Sequence, residues 1–442
     1  MKKLFHIKTY GCQMNFYDSE KITDMLKPLG YEMSNTPEQC DLAILNTCHI
    51  REKASEKMYS DIGRLSILKK NRKKKGGDFK IVVAGCVAQA EGKEIIKRNN
   101  NVDIIVGPQS YHKLPELLKK NKPAIESDFP DESKFDYLPL SKKNVTTAFV
   151  TIQEGCDKFC SFCVVPYTRG AEFSRSVNEI NYEIEHLVNL GAKEITLLGQ
   201  NVSSYHGLFK TKKKTYQFSL ANLIHHISDI RNLERIRYVT SHPCDITDEL
   251  INEHLRNKKL MPYLHLPVQS GSNKILKKMN RNYSRESYIE LINKIRHVRN
   301  DMAISSDFIV GFPGETDKDF WDTIQLVKEI NFASSYSFKY SSRPGTPASL
   351  KANTVNDNVK TRRLHILQKI LDKQQKDFNK SFVGEKLSVL FEKKGKNKNQ
   401  FVGKSEYLQP VHVITNESII GKIAKVNINR KGSFSLHGEL IS

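Results

Sequence analysis

Two long stretches in which short apolar runs alternate with helical periods constrain this chain more than any other feature. In the first, from 4 to 107, "LFHIKTYG", "LAILNT", "KIVVAG" and "VDIIVG" are separated by amphipathic segments near 18–29, 51–70 and 88–99. Strands that alternate with helices argue for a parallel sheet of doubly wound type. In the second, "TAFVTI", "EITLLG", "IRYVTS", "YLHLPV", "SSDFIVG" and "SYSFKY" alternate with helical segments such as "NEINYEIEHLVNL" and "DFWDTIQLVKEI". Six parallel strands with five intervening helices make an open (β/α)6 barrel, whose chemistry collects at the strand C-terminal ends.

The two series are separated by "NKPAIESDFPDESKFDYLPLSKKNV", which is polar, proline-containing and without period, a linker composition. A basic loop, "KKNRKKKGGD", interrupts the first series and reads as a solvated turn. After the second series a charged helix near 356–380 leads into "KLSVLFEKK", "QFVGKSE", "QPVHVI", "IIGKIAKVNIN" and "FSLHGELI". Their period-2 alternation and Gly and Asn turns predict a small antiparallel β-barrel. The expected class is therefore α/β multidomain, consistent with 442 residues, too long for one ordinary core.

Composition narrows the class of partner. With 38% hydrophobic residues and no apolar run near the roughly 18 of a membrane span, no membrane association is expected. Lys2 and Lys3 precede only "LFHI", shorter than the roughly 7–15 residues of an export signal core, so a cytoplasmic location is expected. A net charge of +21, from 70 Lys and Arg against 49 Asp and Glu, suits an acidic partner such as nucleic acid, although many surface lysines are simply solvated. The β-rich tail from 378 carries 11 Lys and Arg against 5 Asp and Glu, so it is the candidate RNA module, with covering the catalytic domain as its other reading.

Eight cysteines are too few for a disulfide scaffold in a chain of this size. Three of them, Cys156, Cys160 and Cys163 of "GCDKFCSFC", follow the first barrel strand. Soft thiolates suit iron–sulfur clusters or zinc, a 4Fe-4S cluster is closed by four of them, and three leave one iron open to a substrate. Their spacing is not the paired C-x2-C of zinc sites, and no His lies within ten residues to complete a tetrahedron. Cys12, Cys48 and Cys86 end the first three strands of the N-terminal series. In a parallel sheet these ends share one edge, so a second three-thiolate site is expected there. Cys40 and Cys244 read as ordinary buried thiols.

At the barrel mouth, Gly199, Gln200 and Asn201 follow the second strand, Ser241 and His242 the third, and His265 and Gln269 surround the fourth. The fifth ends in "GFPGET", whose glycines, Gly311 first, would let a nucleoside approach the backbone. His242 and His265 read as structural donors, and no residue is assigned as a general acid or base.

"GCDKFCSFC", with Phe162 before its last cysteine, resembles the cysteine motif of the radical S-adenosylmethionine (SAM) superfamily. Together with "TYGCQMN", "NTCHIREKA", "AGCVAQ", "PYTRGAEFSR", "LLGQNV", "SSDFIVGFPGET" and "RPGTPA", it makes the whole chain similar to the tRNA methylthiotransferases of the MiaB type. The resemblance implies an N-terminal methylthiotransferase domain over 3–120, a linker over 121–141, a radical SAM core over 142–376 and a TRAM RNA-binding domain over 379–442. It implies SAM and two 4Fe-4S clusters as cofactors: one on Cys156, Cys160 and Cys163 that chelates and cleaves SAM to a 5′-deoxyadenosyl radical, and an auxiliary one on Cys12, Cys48 and Cys86 that supplies sulfur. Phe162, Gly199, Gln200, Asn201, Ser241, Gln269, Ile309 and Gly311 are then the expected neighbours of SAM. The implied reaction places a methylthio group on carbon 2 of the isopentenylated adenosine next to the anticodon, and polar base catalysis cannot open that carbon. The implied partners are the anticodon stem-loop of tRNA, a low-potential electron donor such as flavodoxin or ferredoxin, and sulfur or cluster-repair proteins; a monomer is expected. Two related branches, acting on threonylcarbamoyl-adenosine or on a ribosomal-protein aspartate, are the alternatives, and a two-cluster electron carrier with an RNA-binding tail is the alternative of another class.

Overall fold

The computed structural model describes residues 3–49, 52–120, 122–130, 132–352 and 354–441; Ile50 and Arg51 of "NTCHIREKA" lie outside them. The chain forms two compact units. The first takes the chain up to Lys143 together with 154–157 and 163–173.

In this first unit, strands β1 (Lys3–Thr9), β2 (Tyr31–Met33), β3 (Leu42–Thr47), β4 (Lys80–Gly85), β5 (Ile104–Val106) and β6 (Ala124–Glu126) form one sheet in the order β2-β1-β3-β4-β5-β6. Every pair is parallel. Helices α1 (Gln13–Leu26), α2 (Glu52–Lys74), α3 (Cys86–Glu91), α4 (Lys93–Arg98) and α5 (Leu114–Leu117) connect them, and α6 (Val165–Arg169) also folds into this unit. Alternate residues of β3 serve opposite faces. Leu42 and Ile44 pack with Ile22 and Leu26 of α1, whereas Ala43 and Leu45 pack with Met58, Ile62 and Leu65 of α2. A strand covered on both faces has no polar side, which is why its first four residues, "LAIL", are a continuous apolar run.

The stretch 121–141 departs from the linker reading. Ala124–Glu126 is an edge strand paired in register with β5, and Lys134 is 1% exposed. A three-residue edge strand is too short to show a period, and a lone buried lysine has no sequence signature.

In the second unit, β7 (Thr147–Thr151), β10 (Glu194–Leu198) and β13 (Arg235–Tyr238) form one parallel sheet, and β14 (Tyr263–His265), β15 (Ala303–Val310) and β16 (Ser334–Lys339) another. The two-residue strands β8 (Gln153–Glu154) and β9 (Phe173–Ser174) and a hairpin of β11 (Leu208–Lys210) and β12 (Thr215–Gln217) lie between them in sequence. A parallel bridge between Ile236 and Leu260 joins β13 to the residues before β14. The resulting strand order, β7-β10-β13-β14-β15-β16, is the open six-stranded barrel expected from the alternation. Helices α7 (Val177–Asn189), α8 (Leu220–Ser228), α9 (Asp248–Arg256), α10 (Asn273–Lys278), α11 (Arg285–Val298) and α12 (Asp317–Ile330) follow its strands. Ser219, Ser284 and Thr316 close capping boxes at the starts of α8, α11 and α12.

The long helix α13 (Asp357–Lys380) leads to β17 (Lys386–Lys394), β18 (Gln400–Ser405), β19 (Pro410–Ile414), β20 (Ile423–Lys431) and β21 (Leu436–Leu440), which close into a barrel. The barrel is antiparallel except for one parallel pair, β19 with β21. Its attachment to β13 is polar and buried. Arg235 donates to Lys404 O at 3.0 Å and Ser388 O at 2.9 Å, and Arg237 donates to Glu406 O at 2.8 Å and Ser405 O at 2.9 Å. Arg237 also pairs with Glu194 at 2.9 Å, both side chains being no more than 3% exposed. Breaking a buried pair leaves the remaining charge desolvated, so Arg237→Ala should destabilise the protein by about 3–5 kcal/mol, seen as a lowered melting temperature. An unchanged melting temperature would show that the two barrels do not stabilise one another.

Candidate metal centres

In the first unit, β1, β3 and β4 are neighbours, and a cysteine follows each of them. Cys12 caps the start of α1, Cys48 directly follows Thr47, and Cys86 opens α3. The order β2-β1-β3 puts a topological switch between β1 and β3, where doubly wound sheets take ligands. The strand ends are held tightly together. A Cβ on Gly11 would lie 2.2 Å from Cys48 Cβ, and one on Gly85 would lie 2.4 Å from Thr47 O. Only glycine, with φ of +117° and +93° at these two positions, permits that approach. Asn15 Nδ2 donates to Asn46 Oδ1 at 3.2 Å and to Thr47 O at 3.3 Å, while Cys12 Sγ donates to Asn15 Oδ1 at 3.2 Å.

The Cys12 thiol is pulled down to about 6, first by its hydrogen bond to Cys48 and, against the effect of burial, also by the Arg169 charge. Burial pushes Cys86 up, with Arg169 again opposing. Three converging thiols beside a fixed positive charge are a donor set for a soft, anionic group. Among the described residues no three His, Cys, Asp or Glu side chains close to the spacing of a single metal ion. A four-iron cluster asks for less, since each thiolate takes a different iron. The residues therefore fit such a cluster.

The stretch 155–163 carries the other triad. Cys156 and Cys163 fold with the first unit, where Cys156 N donates to Gly170 O at 3.3 Å and Val165 N donates to Cys163 Sγ at 3.5 Å. Cys160 folds with the second unit and is buried; Arg281 Nη1 donates to its sulfur at 3.5 Å. The other Arg281 acceptors are neutral, Pro267 O at 2.6 Å and Tyr283 Oη at 2.8 Å.

The remaining expected residues lie in the second unit. Gln153 Oε1 accepts from Gln200 N at 2.9 Å and Asn201 N at 3.1 Å, which fixes the turn that Gly199 begins. The Asn201 side chain ties neighbouring loops together: it donates to Asp245 Oδ2 at 2.7 Å and accepts from His242 N at 3.0 Å and Ser203 Oγ at 2.9 Å. It braces two strand ends. Ser241 Oγ is buried with no hydrogen-bond partner among the described residues, so it is free to meet a ligand. Gln269, at φ +71°, links backbone to β15 through Asp307 O and Ile309 N. Phe162 and Ile309 come together against one apolar cluster of Ile275, Met279, Phe312, Tyr340 and Ala348. Gly311 N donates to Glu315 Oε1 at 2.9 Å. His242 accepts from Cys244 N and is held far below its ordinary value by burial and then by Arg281, in keeping with a structural role. Cys244 is exposed in the turn after β13, which corrects its reading as a buried thiol.

Sequence reasoning missed Gln153, Arg169, Asp245 and Arg281. Only the "PYTRG" run, which contains Arg169, offered any signal.

Residues 4–107 match Uncharacterized protein family UPF0004, residues 150–327 the Radical SAM superfamily and residues 380–441 the TRAM domain. Two proteins called tRNA-2-methylthio-N(6)-dimethylallyladenosine synthase, from Rickettsia felis and Rickettsia conorii, are each 54% identical to this chain over 448 residues, covering 100% of it and 100% of themselves. The chain belongs to this synthase family. Among solved structures, the radical SAM methyltransferase TsrM from Kitasatospora setae aligns with a TM-score of 0.57 at 14% identity, covering 79% of this chain and 77% of its own. The radical SAM enzyme OxsB aligns at 0.52 and 12% identity, over 84% of this chain and 56% of its own. These two share the fold of the synthase family member described above. The dimethylallyl group in the relatives' name favours neither the threonylcarbamoyl nor the aspartate branch.

Proposed function

We propose that this chain transfers a methylthio group to carbon 2 of isopentenylated adenosine next to the anticodon of tRNA. The observation that carries this reading is the pair of three-thiol sets: one at the switch point of a doubly wound sheet, the other on the first loop of a radical SAM barrel. Cys12, Cys48 and Cys86 hold one 4Fe-4S cluster, and Cys156, Cys160 and Cys163 hold the other. Bound there, the clusters and SAM supply one-electron cleavage of SAM and a transferable sulfur.

The chain's own residues bind and orient. The Arg281 charge stands against the Cys160 sulfur, Ser241 Oγ offers a polar contact, and Phe162 and Ile309 present an apolar wall. The target base must leave its stack to reach a buried site. A low-potential donor such as flavodoxin or ferredoxin supplies the electron, sulfur or cluster-repair proteins restore the auxiliary site, and the enzyme works as a cytoplasmic monomer. Among the described residues no helix is long and apolar enough to cross a membrane. Nucleoside analysis of tRNA from cells with and without the gene tests the reading. A 2-methylthio group that persists without the gene would sink it.

The TRAM barrel contacts the tRNA backbone. Lys425, Arg430 and Lys431 are exposed along β20. Replacing all three by Ala should flatten the dependence of log affinity on log salt by up to about 0.9 for each phosphate that is no longer neutralised. A slope equal to that of the parent protein would move the RNA-binding surface elsewhere.

A further inference from the structure

Four charged side chains of the first unit lie together out of water. Asp18, Lys134, Glu154 and Arg169 are each no more than 3% exposed. Arg169 divides its guanidinium between two carboxylates: Nη1 donates to Glu154 Oε1 and Nη2 donates to Asp18 Oδ2, both at 2.7 Å. Lys134 Nζ donates to the same Glu154 oxygen at 2.8 Å and stands 3.5 Å from Asp18 Oδ1. Gln109 Nε2 completes the set, donating to Glu154 Oε2 and to Arg169 O at 2.9 Å each. Burial opposes the ionised Glu154, but Lys134 and Arg169 outweigh it and hold the carboxyl below its ordinary value.

Two cations balance two anions here, yet a buried network of this kind seldom stabilises a fold more than apolar packing would. Its placement points to another role. Asp18 lies on α1, the helix capped by Cys12. Glu154 stands two residues before Cys156, and Arg169 stands six after Cys163 on α6, which packs on α3, the helix opened by Cys86. Both flanks of the C-x3-C-x2-C loop are thus tied through one network to the sheet edge that carries the other triad.

We infer that Asp18, Lys134, Glu154 and Arg169 are positioning residues that fix the ends of the C-x3-C-x2-C loop against the edge bearing Cys12, Cys48 and Cys86, so that cleavage of SAM is coupled to sulfur insertion. This rests on the proposed function. Reactive groups lose rate steeply when misplaced, by about a hundredfold for 1 Å. Loosening the network should therefore waste SAM and spare its cleavage.

The test uses full-length, anaerobically reconstituted Asp18→Asn, Lys134→Gln and double variants with substrate tRNA. Iron per chain, 5′-deoxyadenosine released and methylthiolated nucleoside formed are measured together. Iron should stay at about eight per chain and 5′-deoxyadenosine release should continue. Methylthiolated product per 5′-deoxyadenosine should fall by about tenfold to a hundredfold. Arg169→Lys, which keeps the charge but can serve only one carboxylate well, should fall between. Where the Lys134→Gln variants fail to fold, Arg169→Lys decides by the same ratio. A parental ratio in the variants, with or without a lower melting temperature, reduces the network to plain structure and overturns the inference. A parent protein that forms no methylthiolated product overturns the proposed function instead.

Discussion

Replacing Cys156, Cys160 or Cys163 by Ala should abolish reductive cleavage of SAM, with 5′-deoxyadenosine falling to background. Three thiols leave no spare: a 4Fe-4S cluster with one open iron needs all of them, and the loop supplies no His to substitute. Cys160→Ala carries a second cost. Arg281 would remain buried with Pro267 O and the Tyr283 hydroxyl as its acceptors, so the charge would be left facing neutral groups. Iron content should fall to about four per chain in each variant. Continued formation of 5′-deoxyadenosine would show that the cleaving cluster is held elsewhere.

The second large effect separates the two triads. The Cys12/Cys48/Cys86→Ala variant should also hold about four irons where the parent holds about eight. It should still cleave SAM, because the other three cysteines and their neighbours on the barrel are intact. It should place no sulfur on tRNA. The substitutions are local, since each removes only a sulfur and keeps the Cβ, and none of the three thiols is a core packing residue between sheet and helices of the size of Phe5 or Met58. Two results contradict the assignment: parental iron content, which would mean that these thiols ligate nothing, and normal methylthiolated product, which would mean that the sulfur has another source.

The distinct fates of the two predicted barrels show where sequence reasoning holds. Strands of the (β/α)6 barrel such as Glu194–Leu198 announce themselves as short buried runs followed by an amphipathic helix. The tail reads as a small barrel for the same local reason, through alternation of Leu387, Val389 and Phe391 into its core. Its seat on β13 could not be read. Arg235 and Arg237 fall in an ordinary strand, "RIRY", and find their acceptors about 150 residues later.

Sequence by itself determined the alternation, the two triads, the tail and the family, because each is written in local periods, spacings or ordered motifs. Tertiary structure decided the rest. It turned part of an aperiodic linker into an edge strand, exposed Cys244, committed Asn201 to bracing and set Arg281 against Cys160. It also gathered Asp18, Lys134, Glu154 and Arg169 into one buried network. Those outcomes depend on which charges and amides meet after the chain has folded back, over spans from 20 residues between Lys134 and Glu154 to 151 between Asp18 and Arg169. Burying a charge is costly unless a partner is waiting, and the identity of that partner leaves no trace in the residues beside it.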